Sequence, residues 1–331
     1  MSETPLRAGV IGVGSMGQNH ARVYDEIRPT TLAGVFDVDD EQAASIAREH
    51  ETTAMGLEEL LETVDVATVA VPTEYHYDMA RQCIEHGVDV LVEKPFVAEP
   101  AEGEELIELA ERAGVTVQVG HIERFNPAVI TLREFVDDLD VISVSAERLG
   151  PPLEREIDDS VVMDLMIHDI DIVLDLIDGE LTTVNAVGTD EGRYASANLS
   201  FDSGVVGHLT ASRVTQEKVR GLTISARDCR VKVDYIDQTV EVHRASTPEY
   251  LREGGNVHYR HENLVERVTV DRREPLKEEL RAFADAAANG TEPVVTAEDG
   301  LQVLETTTAI EQDATRSRLE RAGVPVNAGS D

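Results

Sequence analysis

The stretch Arg7 to Tyr24, RAGVIGVGSMGQNHARVY, decides the fold of the first part of this 331-residue chain. A short apolar run reads as a strand, three glycines follow at the spacing GxGxxG, and a helix-like segment continues from them. Each glycine has a physical task. Gly12 permits the tight turn, Gly14 lets the backbone approach a pyrophosphate, and Gly17 allows the helix to pack closely on the strand. The first helical residues, Ser15 and Met16, sit where the helix N-terminus attracts phosphate charge. A second strand-like run, TTLAGVFDVDD, ends in Asp37, 20 residues after Gly17, where a carboxylate can accept both hydroxyls of an adenosine ribose. That carboxylate would repel a 2′-phosphate, and Val38, Asp39 and Asp40 offer no arginine to reverse the preference. The pattern predicts a site for NAD rather than NADP.

Further strand-like runs, VDVATVAV, VDVLVE and VTVQVG, alternate with helix-like YHYDMARQCIEHG and AEGEELIELAERAG. Near-continuous valine and alanine suit strands covered on both faces of a parallel sheet. The fold class predicted is α/β, with a doubly wound Rossmann domain over residues 1–122. Ligands bind outside the carboxyl ends of such strands. Three segments leave those ends: PTEYH, with Pro72, Thr73 and His76; EKP, with Glu93 and Lys94; and GHIERFNP, with His121, Arg124 and Asn126.

Beyond Pro127 the pattern changes to alternation, as in DVISVSAERL and SANLSFDSGVVGHLTAS, with DSG a hairpin turn. Residues 123–331 are expected to form an α+β domain with a large, mostly antiparallel sheet that binds substrate and mediates oligomerisation. Within it VVMDLMIHDIDIVLDL, Val161 to Leu176, reads as a helix that is apolar on nearly every side yet carries Asp164, His168, Asp171 and Asp175. Their spacings place them along one stripe of an α-helix. Either the stripe faces water, or a histidine is held there by a carboxylate. LREGGNVHYRHEN reads as a mobile loop, and helices resume near Glu274 and Ala297.

Composition narrows the function. Of the residues, 41% are hydrophobic, enough for the two cores that this length suggests. No apolar run is long enough to span a membrane, and the opening MSETPLRAGV lacks signal-peptide character, so a cytoplasmic location is expected. Two cysteines, Cys83 and Cys229, exclude a disulfide scaffold and sulfur-based metal ligation. The formal charge of -36 is dispersed, and only Lys94, Lys218, Lys232 and Lys277 are lysines. Such a surface is similar to that of proteins from a high-salt cytoplasm, where cations screen self-repulsion over about 3 Å at molar salt. Neither nucleic acid nor an anionic membrane is expected as a partner.

A dinucleotide domain carrying EKP, followed by an antiparallel domain carrying Asp-x-x-x-His on a helix, resembles the Gfo/Idh/MocA oxidoreductases. The resemblance implies that Lys94, Asp164 and His168 are catalytic and that Lys94-Pro95 is a cis peptide. GHIERFNPAV and DLMIHDIDIVLDL look most like the branch that oxidises C3 of UDP-N-acetylglucosamine. On that implication His168 removes the proton of a sugar hydroxyl, Asp164 orients His168, and Lys94 hydrogen-bonds the same oxygen. Glu93 and Lys94 border the cofactor, as do Pro72, Thr73 and His76. Asp171 and Asp175 are expected to be the solvated continuation of the stripe.

Other roles stay open at this level. His76, His121, Arg124 and Asn126 are placed to touch nicotinamide or sugar, or to cap and hinge. Arg148 and Arg155 could hold a substrate diphosphate through their planar donor forks, or serve as ion-pair partners. The partners expected are a sugar or nucleotide sugar and further copies of the chain, as a dimer or tetramer. Rival functions are a free-sugar or inositol dehydrogenase, a non-catalytic dinucleotide and sugar sensor, and a metal site built from Asp164, His168 and Asp171. No metal is expected.

Overall fold

The computed structural model describes residues 5–152, 159–245, 249–253, 256–260 and 263–321. In chain order the first elements are β1 (Leu6–Ile11), α1 (Ser15–Glu26), β2 (Thr30–Phe36), α2 (Asp40–Glu49), β3 (Thr53–Ala54) and α3 (Leu57–Thr63). They continue as β4 (Val66–Val69), α4 (His76–Glu85), β5 (Asp89–Glu93), α5 (Pro100–Ala113) and β6 (Val117–Gly120). All six strands are parallel, in the order β3-β2-β1-β4-β5-β6. The order reverses between β1 and β4, so their carboxyl ends part and leave the crevice of a doubly wound sheet. The ends of α5 follow local chemistry. Pro100 opens it beside a Glu99/Glu102 capping box, and Gly114 closes it with φ of 68°.

The chain then forms α6 (Pro127–Arg133), β7 (Val141–Leu149), α7 (Ile167–Leu176), β8 (Leu181–Thr189), β9 (Tyr194–Phe201) and β10 (Val206–Ser212). Next come β11 (Val219–Ala226), β12 (Cys229–Asp234), β13 (Thr239–Ala245), β14 (Glu249–Glu253), β15 (Asn256–Arg260) and β16 (Asn263–Val268). Two helices end the described chain, α8 (Pro275–Asn289) and α9 (Ala297–Arg321). The large sheet runs β16-β13-β12-β11-β7-β10-β9-β8, antiparallel except where β10 meets β7. The expected hairpin at DSG joins β9 to β10, with Gly204 at φ of 86°. Alternating residues of the central strands point inward, and α7 packs on that inner face against β7 and β10.

Two expectations about organisation are corrected. The chain divides into one compact unit of residues 1–125 and 273–305 and another of 126–272 and 306–331, not at 122/123 alone. The reason is α8, whose Leu276, Leu280 and Phe283 complete the core around Val10, Tyr24, Val66 and Leu91. The loop expected at LREGGNVHYRHEN contains strand instead: β14 and β15 pair antiparallel, Glu249 opposite Arg260. Backbone pairing stabilises it independently of any apolar alternation in its sequence. Among the described residues no helix is long and apolar enough to cross a membrane.

Candidate functional site

The cradle at the start of α1 is made of backbone. Gly12 has φ of 87°, and a Cβ there would stand 2.8 Å from the Ala70 carbonyl oxygen. At Gly17 a Cβ would lie 1.8 Å from the Gly12 oxygen, so only glycine lets helix and strand approach this closely. Gly14 is different: a Cβ there would meet no protein atom within 4 Å. The helix carries no side-chain N-cap and no acid in its first turn, which leaves the amides of Ser15 and Met16 for an anion.

Asp37 Oδ2 accepts the Val13 N–H at 2.7 Å and Oδ1 the Asp39 N–H at 3.0 Å. A carboxylate has about four acceptor positions, so two remain for ribose hydroxyls. A groove of about 430 Å³ adjoins it, lined by Phe36, Val38, Leu57, Val71, Pro72, Tyr75 and Met79 among others. This apolar slot beside a carboxylate and a helix N-terminus fits the adenosine and pyrophosphate of NAD. Thr73, in the turn that follows Pro72, is half-buried.

At the end of β5, Lys94 is half-buried and joined to Pro95 by a cis peptide, as the resemblance implied. Glu93 lies beneath it, 9% exposed. Its Oε1 is 2.8 Å from Nε2 of His20, a fully buried residue of α1, and its Oε2 accepts the Lys94 N–H at 3.2 Å. Burial pushes the Glu93 carboxyl up, but the His20 contact and the amide and charge of Lys94 outweigh it and leave the group below its ordinary value. His20 escaped the sequence reading, although GxGxxGxxH places it one turn beyond Gly17.

Three residues open to ligand contact or to capping and hinge roles are engaged by the protein itself. His76 is 1% exposed, with Nδ1 2.8 Å from the Pro95 oxygen and Nε2 2.9 Å from the Val71 oxygen, so it clamps the strand ends. Burial depresses its basicity, against the opposing pull of the two carbonyls. Arg124 is buried and donates to Asp299 at 3.1 Å. Asn126 caps α6 by accepting the Ala128 N–H and donates to the Tyr235 oxygen. His121 differs from them. It is 1% exposed, neither ring nitrogen has a partner within the described chain, and burial with the nearby cations of Arg124 and Lys94 pushes it down to about 3.

In the other unit, Asp164 lies in a π-helical turn, Val162–Met166, which runs directly into α7. The wider turn departs from the 3.6-residue stripe and often accompanies functional sites. Asp164 pairs with Nη2 of Arg213, just past β10, while Nη1 of Arg213 donates to the Asp159 oxygen. Arg213 was also missed, because 49 residues separate the partners and no spacing rule links them. Asp164 and His168 are both half-buried, and Asp164 keeps 32% of its side-chain surface.

The remaining carboxylates correct the expectation of a solvated stripe. Asp171 is fully buried, and Asp175 is paired with Arg133 of α6. The helix is apolar all round because it is covered all round, and its acids must be satisfied internally. Arg148 takes the second of the two roles open to it, that of an ion-pair partner. The two-residue period of β7 turns it to the inner face with Val144 and Ala146, where Nε and Nη2 each reach Asp169 at 3.0 Å. It is 4% exposed, stands over the Tyr235 ring, and is an internal ion-pair partner rather than a diphosphate ligand. Arg155 lies outside the described residues. Among those residues no group of three potential ligands is placed to hold a metal ion.

Comparison with known proteins agrees with this geometry. Residues 6–121 match the family described as "Oxidoreductase family, NAD-binding Rossmann fold", and residues 143–242 match the GFO/IDH/MocA C-terminal domain. UDP-N-acetylglucosamine 3-dehydrogenase of Acidithiobacillus ferrooxidans is 36% identical over 288 residues, 86% of this chain and 89% of that one. A solved structure of that enzyme superposes with a TM-score of 0.86 at 32% identity, covering 95% of this chain and 99% of the other. The scyllo-inositol 2-dehydrogenase (NAD(+)) of Bacillus subtilis is 28% identical over 64% of this chain and 69% of its own length. With both domains matched in order and an NAD cradle built as its glycines require, this chain belongs to the Gfo/Idh/MocA family of NAD-binding oxidoreductases.

Proposed function

We propose that this oxidoreductase oxidises a secondary hydroxyl of a nucleotide sugar, C3 of UDP-N-acetylglucosamine, to the ketone. The observation that carries the reading is the likeness, over 86% of this chain, to a relative bearing that activity in its name. Bound NAD supplies the hydride acceptor. His168 takes the hydroxyl proton as the C–H bond breaks and the carbonyl forms, and the Lys94 ammonium donates to the oxygen on which charge develops. Asp164, anchored by Arg213, keeps a carboxylate four residues before the base. The backbone cradle binds the dinucleotide, and Asp37 selects NAD over NADP.

The test is NADH formation from UDP-N-acetylglucosamine, coupled to a 3-aminotransferase because the ketone returns hydride readily. Lys94→Met and His168→Ala should each lower kcat by about 1,000-fold with NAD affinity within about 3-fold of the parent. Parent-level turnover in either variant removes that residue from the mechanism. A second reading, a free-sugar or inositol dehydrogenase, is favoured by the Bacillus subtilis relative. Oxidation of scyllo-inositol with none of the nucleotide sugar would establish it. NAD and sugar binding without turnover would establish the sensor.

The same reading includes self-association. On the outward face of β7 to β11 the described residues are mostly Ser, Thr, Asn and Val, with His208 and Tyr194 among the exceptions and Glu147 the one carboxylate, in a chain of charge -36. Charge depletion at the centre of a surface is the mark of an interface, and a second copy brings the same uncharged face. Light scattering should report a dimer or tetramer, and Ser145→Glu with Thr210→Glu should give monomer. The dispersed acid and four lysines fit a high-salt setting, and the NAD-linked reaction fits the cytoplasm.

A further inference from the structure

Stability does not explain why a carboxylate and an imidazole are buried together at the end of β5. Burying such a pair costs desolvation, and apolar replacements of similar volume are often as stable or more so. The pair instead makes a connection. His20 stands on α1, whose N-terminus forms the dinucleotide cradle, and its Nε2 holds Glu93 Oε1 at 2.8 Å. The other oxygen of Glu93 holds the main-chain N–H of Lys94 at 3.2 Å. The Pro95 carbonyl in turn lies 2.8 Å from Nδ1 of His76 in α4. The backbone carrying Lys94 is therefore tied to the cofactor helix through one side-chain pair as well as through its own strand.

We propose that His20 is a positioning residue, which acts through Glu93 to set Lys94 against the nicotinamide end of the cofactor site. Either the neutral Nε2–H tautomer or the imidazolium donates to Glu93, so the link does not depend on the charge of His20. The proposal rests on the catalytic reading of Lys94. Removing the link moves Lys94 without touching the pyrophosphate cradle, so turnover falls while dinucleotide affinity and sugar KM stay. A displacement of about 1 Å at a reacting group can cost about 100-fold in rate.

The experiment compares His20→Leu, His20→Gln, Glu93→Gln and Lys94→Met with the parent, using whichever of UDP-N-acetylglucosamine and scyllo-inositol the parent oxidises. His20→Leu should lower kcat about 100-fold, with KM and the NAD dissociation constant within about 3-fold. His20→Gln, which keeps an N–H donor, should recover most of the loss. Four lysines permit a readout independent of turnover. With 13C at the lysine side chains, the Lys94 resonance in the NAD complex should shift in His20→Leu and return in His20→Gln, while Lys218, Lys232 and Lys277 stay fixed.

Unchanged kcat in His20→Leu, a fall in kcat matched by a fall in NAD affinity, or an unmoved Lys94 resonance overturns the proposal. If His20→Leu does not fold, Glu93→Gln decides. Its amide cannot accept from both His20 and the Lys94 N–H through oxygens, so the same loss confined to kcat is required of it. Full activity of Lys94→Met would instead strike the catalytic reading beneath. Inactive Lys94→Met beside a fully active His20→Leu would strike this inference alone.

Discussion

The cofactor cradle in one unit and helix α7 in the other are built from different materials. In the cradle the atoms that matter are main chain, shaped by Gly12, Gly14 and Gly17, and Asp37 is anchored by amides only two to 24 residues away. On α7 and its π turn three carboxylates are paired with arginines distant in the chain: Asp164 with Arg213, Asp169 with Arg148 and Asp175 with Arg133. A backbone site tolerates loss of side chains and fails on their addition. The side-chain pairs are the reverse, because a buried carboxylate such as Asp169 is costly once its cationic partner is removed.

The sharpest test of the second half of that contrast is Arg148→Met. It leaves Asp169 buried without its bidentate partner and should lower unfolding free energy by about 3–5 kcal/mol in denaturant titration. Adding Asp169→Leu should restore much of the loss. If the single variant were as stable as the parent, the pair would not be holding α7 to the sheet.

The glycines test the first half. Gly17→Ala forces a methyl group to 1.8 Å from the Gly12 oxygen and should cost about 3 kcal/mol. Gly14→Val has open space and an extended φ/ψ, so its denaturation midpoint should match the parent while NAD affinity by calorimetry falls about 100-fold, or about 2.7 kcal/mol. Intact affinity in Gly14→Val would place the pyrophosphate elsewhere.

The buried histidines carry the contrast into pH. His121 is pushed from 6.5 down to about 3, so in that interval the unfolded chain binds a proton that the folded chain does not. Its neutral form stabilises the fold fully above 6.5, and that contribution is lost as pH falls toward 3. His121→Gln should flatten the decline in Tm between about pH 7 and about pH 5. Parallel curves for variant and parent would mean that the ring is protonated without penalty.

The smallest effect belongs to the exposed surface. Most ion pairs there join half-exposed partners, such as Arg7–Asp65 and Arg227–Asp140, and each contributes little. Net repulsion from a charge of -36 should dominate them, so Tm should rise by several degrees from about 0.1 M to about 2 M KCl. A protein most stable in dilute buffer would contradict a high-salt origin for this surface.

Residue spacing along the chain determined whatever depends on local geometry. The GxGxxG turn, the parallel strands, the position of Asp37, the DSG hairpin and the helix carrying Asp164 and His168 were legible, because glycine conformation and side-chain period act over a few residues. Tertiary structure decided the rest. That α8 completes the first core, that Glu93 rests on His20, that Asp164 is met by Arg213, and that Arg148 turns inward to Asp169 are long-range outcomes, the three side-chain pairs spanning 73, 49 and 21 positions of chain. A buried charge requires some partner of opposite sign or a hydrogen-bond donor, but nothing in its own neighbourhood of sequence specifies which one the fold delivers.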